Sequence, residues 1–344
     1  MMLQGHFIDT LLSVEFRDFS YTAYKVWHYF RGITAPTFYT ISGLIFTYLL
    51  LKAKDKGQVK TRIKKGLSRG LMLILIGYAL RIPYLRWLTG GSIGTYFMVI
   101  DVLQVIGLSL IILVLLYEIC FRNLIIYSFL MFFSSLIIFT LEPLYVNYQA
   151  SEYPLFFANY LTKYNGSIFT IFPWFAYMSS GAFIATFFYK FSEKKYFREI
   201  TLSLFLILGL FLLTLSTNIL SWLHKLFELD LFAMAANRNY LFTRLGNVLI
   251  TFGVFYLIEN FLKKPLILTI GQRTLSIYVI HFIILYGSFT SFGLKQIGKN
   301  LSPVEGFFGA LIFLLVTTYI SLNWKKYYSF LKKNLKEFRN NFKL

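Results

Sequence analysis

Apolar runs near membrane-spanning length recur along this chain, separated by short polar stretches, at 1–14, 33–51, 68–88, 97–119, 123–141, 168–189, 200–220, 243–262, 265–288 and 304–323. A helix rises about 1.5 Å per residue, so about 20 apolar residues cross a hydrocarbon layer ~30 Å thick. Inside that layer a single run can satisfy its backbone N–H and C=O groups only by forming a helix. The pattern therefore predicts an all-α integral membrane protein, a bundle of about ten transmembrane helices over residues 1–323. The first run is too short to cross alone, so further residues upstream are expected to complete it. Residues 324–344, "WKKYYSFLKKNLKEFRNNFKL", interleave aromatics with seven basic residues against Glu337. They read as a basic amphipathic tail on the anionic inner leaflet, in contact with membrane lipids.

Composition agrees with the periodicity: the 344 residues are 57% hydrophobic and only 14% charged, where a soluble domain carries about 25% charged residues. The net charge of +19 could suggest nucleic acid, but its placement argues for topology determinants and anionic-lipid contacts instead. "LKAKDKGQVKTRIKKGLSR" holds eight basic residues against Asp55 and anchors the cytoplasmic side. Counting runs from there, "YKFSEKKYFRE", Lys263–Lys264 and the tail also fall inside, and the segment 142–167 falls outside. The true N-terminus and the C-terminus are then cytoplasmic, and the sparse extramembrane sequence suits a bacterial inner (plasma) membrane. Cys120, the single cysteine, excludes a disulfide framework and a thiolate zinc site. The sequence offers no cluster for a metal, no cleavable signal peptide and no soluble-hydrolase, Walker or H-E-x-x-H motif.

Ionisable groups inside spans are costly and are functional candidates by default. His6 and Asp9 share one helical face in "MMLQGHFIDT". Arg31 and Thr34 stand at the mouth of the second run, Asp101 and Gln104 at the start of the fourth, and Arg244 and Asn247 in the eighth. His281 lies seventeen residues beyond Lys264, with Thr274 and Tyr278 on its face. On straight helices these groups reach one outer-half depth, as a single buried site would require. Each has a duller reading. Arg244 can snorkel to a lipid phosphate, Asp101 can be its counter-ion, and His281 with Tyr278 can be a satisfied core pair. His28 and His224 read as outer-loop residues. Pro36 and Gly43 read as a kink and a close packing point, and "GLSRG" at 66–70 as a small-xxx-small contact.

Five stretches, "MLQGHFID", "RGITAPTFYTISGLIF", "DVLQVIGL", "FPWFAYMSSGAFIA" and "LSIYVIH", resemble in order and placement the transmembrane acyltransferases related to heparan-α-glucosaminide N-acetyltransferase. The acyltransferase-3 group is a more distant relative. The resemblance implies transfer of an acetyl group from cytoplasmic acetyl-CoA to a sugar amine or hydroxyl, such as a cell-envelope glycan, across the membrane. It places His6 and Asp9 at the family's Gly-His-acid element, and Arg31, Thr34 and Pro36 at its Arg-Thr-Pro element. The Arg and Asp/Arg-Gly element that precedes this histidine in the family would fall before the first residue here, and His28 is out of register with the loop histidine of the lysosomal relatives.

The side chains can meet that chemistry. Histidine titrates near neutrality, so His6 suits a general base or an acyl carrier. Asp9 would orient the imidazole, as the third member of a triad does. Arg31, Arg244 or Tyr278 would stabilise an oxyanion. Asp101 and His281 complete the catalytic candidates, and Thr34, Gln104, Asn247 and Tyr278 are candidates to bind substrate. The phosphates of coenzyme A call for cations on the inner face, where Arg62, Lys64, Lys65 and Arg69 stand. A proton-coupled transporter or lipid-linked glycan flippase would use the same buried groups, but no inverted repeat or paired broken helices are visible in the sequence. Whether the chain forms a homo-oligomer is left open.

Overall fold

The computed structural model describes residues 1–91 and 94–341, with side chains through residue 324. It is all-helical among the described residues apart from one isolated bridge, Leu12 with Leu301. Six helices are long and apolar enough to span a membrane: Thr22–Asp55, Val102–Ile119, Ile171–Phe191, Phe197–Thr214, Tyr240–Leu257 and Pro303–Trp324 of the last helix. A seventh span follows if Pro265–Gln272 and Thr274–Tyr286, bent by 64° at their junction, are taken together.

The count of about ten is therefore not reached, for identifiable reasons. Met2–Leu11 has only ten residues and Leu124–Thr140 seventeen. Val59–Ala79 has the length but carries Lys60, Arg62, Lys64, Lys65 and Arg69 in its first half. The bend at Gln272–Arg273 also undoes the straight-helix argument for the depth of His281. The final helix continues through the start of the tail to Asn341; the tail's side chains, and residues 342–344, lie outside the described residues.

The chain divides into two compact units. The first comprises Met1–Arg31, Pro83–Gly91 and Ile258–Leu344. Its core joins Phe7 and Leu11 to Leu285, Ala310 and Phe313. Gly309 makes the contact possible, since a Cβ there would stand 2.7 Å from the Phe7 ring. The end of Met2–Leu11 is closed by side-chain hydrogen bonds: Arg17 donates to the carbonyls of Ile8, Asp9 and Leu12. A helix leaves its last carbonyls unsatisfied, and a cation there both caps them and favours the dipole.

The second unit, Gly32–Ile82 and Ser92–Leu257, is built on close helix crossings. Between apolar helices in lipid the hydrophobic effect gives no net attraction, so small residues and interhelical hydrogen bonds carry the packing. A Cβ on Gly181 would lie 1.8 Å from the Thr40 carbonyl, and one on Gly43 2.1 Å from that of Met178. Gly70 and Gly107 meet in the same way, as do Gly209 and Gly246. The close-packing reading of Gly43 is thus what the structure builds, and Gly70 of "GLSRG" makes such a contact as well. Ser135 with Ser180 and Ser128 with Thr186 join Leu124–Thr140 to Ile171–Phe191 at 2.6 and 2.8 Å.

Candidate active site

In the first unit, Phe7 and Leu11 anchor the short first helix, and this turns His6 toward Thr274–Tyr286. The His6 ring stacks on His281 with centroids 5.2 Å apart and planes inclined by 29°. The Tyr286 hydroxyl lies 3.0 Å from His6 Nδ1. Phe282 packs edge-on to His6 at 6.4 Å, and Tyr278 edge-on to His281 at 4.9 Å. Thr10 steadies the same turn by donating to the His6 carbonyl at 2.7 Å.

Asp9 faces Arg31, and the two form an ion pair of partly exposed side chains. Asp9 is thus committed to Arg31, and the hydroxyl beside the His6 ring is that of Tyr286. Arg31 also lies 5.8 Å over the Trp27 ring, while Trp27 Nε1 donates to Gln4 at 2.7 Å. Gly5 leaves room for this, with Arg31 Cγ 3.8 Å from where its Cβ would stand.

His281 is fully buried, and neither of its ring nitrogens makes a hydrogen bond of good geometry. The expectation of a satisfied core pair with Tyr278 therefore gives way. Their contact is edge-on between rings, and the neighbouring carbonyls of Ile277 and Tyr278 are poorly aligned acceptors. A buried polar group without a partner costs about 1–3 kcal/mol, so native proteins keep few of them and often for chemistry.

His28 is not in a loop. It sits on Thr22–Asp55 with its ring against Phe19 and Tyr24, at 5.0 and 5.9 Å. His224 likewise lies on a helix, Ser216–Phe227, with Nδ1 3.0 Å from the Leu229 carbonyl.

The remaining candidates belong to the second unit. Asp101 is the N-cap of Val102–Ile119, and with Gln104 it forms a capping box. Its counter-ion is Arg81, not Arg244: the guanidinium lies 2.6 Å from Oδ2, and both residues are buried. Gln104 packs on Gly77, whose bare Cα admits the amide. Arg244 is half-buried, 4.9 Å over the Tyr240 ring and against the bare Cα of Gly32. Thr34 and Asn247 are also partly buried in this unit.

The four cations proposed for coenzyme A separate around the Val59–Ala79 helix. Lys64 lines a hollow of about 460 Å³ with Lys60, Ser68 and Arg122. Arg62 lies 5.8 Å over Phe46; burial first, then the like charge of Arg69, lower its guanidinium below the ordinary range. Lys65 and Arg69 are exposed. An anion reaching Arg62 or Lys64 would find each on a different side of one helix. Among the described residues no group of three His, Cys, Asp or Glu side chains could hold a metal.

Sequence reasoning missed Tyr286, Arg81, Glu142 and Tyr240. Tyr286 carried a signal, standing five residues after His281 near the end of an apolar run. For Arg81 the only cue was a lone arginine at the end of one.

A multi-spanning membrane protein, all-helical among the described residues, with a half-buried histidine stacked on a buried one is the class these observations define. The family model described as heparan-alpha-glucosaminide N-acetyltransferase, catalytic, matches residues 1–201, and the chain belongs to that family. Membership implies acetyltransferase activity in general. Comparison with curated proteins and with solved structures returns no match. The matched residues include His6, Asp9 and Arg31 but stop short of His281 and Tyr286.

Proposed function

We propose that this chain transfers an acetyl group from acetyl-CoA to a sugar amine or hydroxyl on the extracytoplasmic face of a bacterial inner membrane, with His6 as general base. The observation that carries the reading is the placement of His6 between the Tyr286 hydroxyl and the buried His281 ring. In the tautomer that donates Nδ1–H to the Tyr286 oxygen, Nε2 carries the lone pair that can accept a proton. His6 Nε2 takes the acceptor's proton as the acceptor oxygen or nitrogen attacks the acetyl carbonyl. The carbonyl oxygen passes through an oxyanion, the carbon–sulfur bond breaks, and the proton returns to the coenzyme A thiolate. Arg31, held to the first helix by its ion pair with Asp9, one turn from His6, would meet the developing oxyanion. Lys64, in the hollow it shares with Lys60 and Arg122, serves the donor phosphates at the inner face.

Family membership does not favour transport as the alternative. The test is acetyl transfer from labelled acetyl-CoA to a panel of amino sugars and envelope glycans, in membranes holding wild type or His6→Ala. Removal of a positioned base lowers the rate by ~10²–10⁴, so transfer that survives in His6→Ala overturns the assignment. Label trapped on protein without acceptor, and absent from His6→Ala, would assign His6 the acyl-carrier role instead.

A further inference from the structure

Assigning Arg81 to Asp101 leaves Arg244 without the counter-ion expected for it. Among the described residues its guanidinium meets the Tyr240 ring and Gly32, and no hydrogen bond or ion pair. A second cation lies near: partial burial and then the charge of Arg244 lower the Lys163 ammonium below its ordinary range. The acid bonded to Tyr240 pairs with neither. Glu142, buried on a one-turn helix, accepts from the Tyr240 hydroxyl at 3.1 Å through Oε1, which puts the tyrosine between acid and arginine. Its Oε2 is buried with no hydrogen-bond partner. The cluster thus pairs uncompensated positive charge with one unfilled acceptor.

An apolar groove of about 500 Å³ opens beside it between the helices Leu124–Thr140, Ile171–Phe191, Phe197–Thr214 and Tyr240–Leu257. Phe132, Phe183, Phe211 and Leu249 are among its walls. One end is formed by Phe139 and Phe242, in mutual contact at 5.3 Å. Phe139 also touches Tyr177 at 4.8 Å, and Glu142 follows one turn later along the chain. The groove therefore ends where the charged cluster begins. Three of its four helices are long and apolar enough to span a membrane, so what it opens toward is hydrocarbon.

We infer that this is a binding site for one anionic membrane lipid, its phosphate at Arg244 and Lys163, a headgroup hydroxyl donating to Glu142, and one chain in the aromatic groove. Charge complementarity selects a phosphodiester with a hydroxyl-bearing headgroup over a zwitterionic one. The ammonium of a zwitterion would meet two cations, and a choline headgroup has no O–H for the buried Oε2. This assignment stands independently of acetyl transfer.

The test is native mass spectrometry of the full chain, delipidated in a neutral detergent and titrated with phosphatidylglycerol or phosphatidylcholine. Wild type should hold one phosphatidylglycerol about tenfold more tightly than phosphatidylcholine, a difference of about 1.4 kcal/mol. Arg244→Gln and, on the surface loop, Lys163→Gln should each remove most of that preference. Leu208→Trp, which fills the groove, should weaken both lipids. Equal affinities in folded wild type would overturn the site. So would an unchanged preference in both charge variants, or full displacement of the lipid by inorganic phosphate, which would leave the groove no part. Thermal melts of each variant separate lost binding from lost folding.

Discussion

The Tyr286 hydroxyl stands 3.0 Å from Nδ1 of His6, across 280 residues of sequence. Tyr286→Phe keeps the ring that packs on Phe282 at 4.8 Å and removes only the oxygen. If the hydroxyl holds the His6 tautomer, acetyl transfer should fall by about tenfold, less than the ~10²–10⁴ expected for loss of the base itself. The acid limb of the pH–rate profile should move as well. An unchanged rate and profile would reduce Tyr286 to packing.

His281→Phe separates stability from activity at one position. The substitution deletes two buried nitrogens that lack good hydrogen bonds, and burying such atoms costs about 1–3 kcal/mol. The variant should melt no lower than wild type yet transfer acetyl poorly. A lower melting temperature with proportionate loss of activity would mean that the imidazole is structural.

Asp9 and Arg31 act as one unit across a partly exposed ion pair. Such a pair contributes at most about 1 kcal/mol to stability, so Asp9→Asn and Arg31→Gln should fold normally. Each should lower transfer, and the double variant should be little worse than the poorer single one, because coupled neighbours are not additive. Additive losses in the cycle would refute a shared role.

Asp101 was a catalytic candidate in the sequence and is a cap and buried ion-pair partner in the structure. Asp101→Ala should cost about 3–5 kcal/mol, the usual penalty for breaking a buried pair from one side. Asp101→Asn, which keeps the cap acceptor, should cost less. Activity per folded molecule should be unchanged in the Asn variant; a specific activity near zero would restore Asp101 to the chemistry.

Gly181→Ala tests the crossing of Thr22–Asp55 and Ile171–Phe191. Its Cβ would stand 1.8 Å from a backbone oxygen, so no side-chain rotation relieves it. Expression of monodisperse protein in detergent should collapse, whereas Gly271→Ala, at an open position with ordinary backbone, should express. Comparable yields would mean that the crossing is looser than described.

Apolar periodicity, charge placement and five ordered stretches were enough to read a helical membrane protein of the acetyltransferase family from the chain itself, because burial in lipid constrains every residue of a span. They also nominated His6, Asp9, Arg31 and His281 as candidates, since an ionisable side chain in such a run is costly wherever it points. Which of these meet was not legible. Pairing depends on helix rotation, on a 64° break beside Arg273, and on glycines that let helices approach, none of which hydropathy encodes. So the sequence could nominate Asp101 and Arg244 as partners, but only the packing gave Asp101 to Arg81 and left Arg244 uncompensated. It also gave the hydroxyl beside the His6 ring to a tyrosine 280 positions away, a contact between distant segments that local pattern cannot specify.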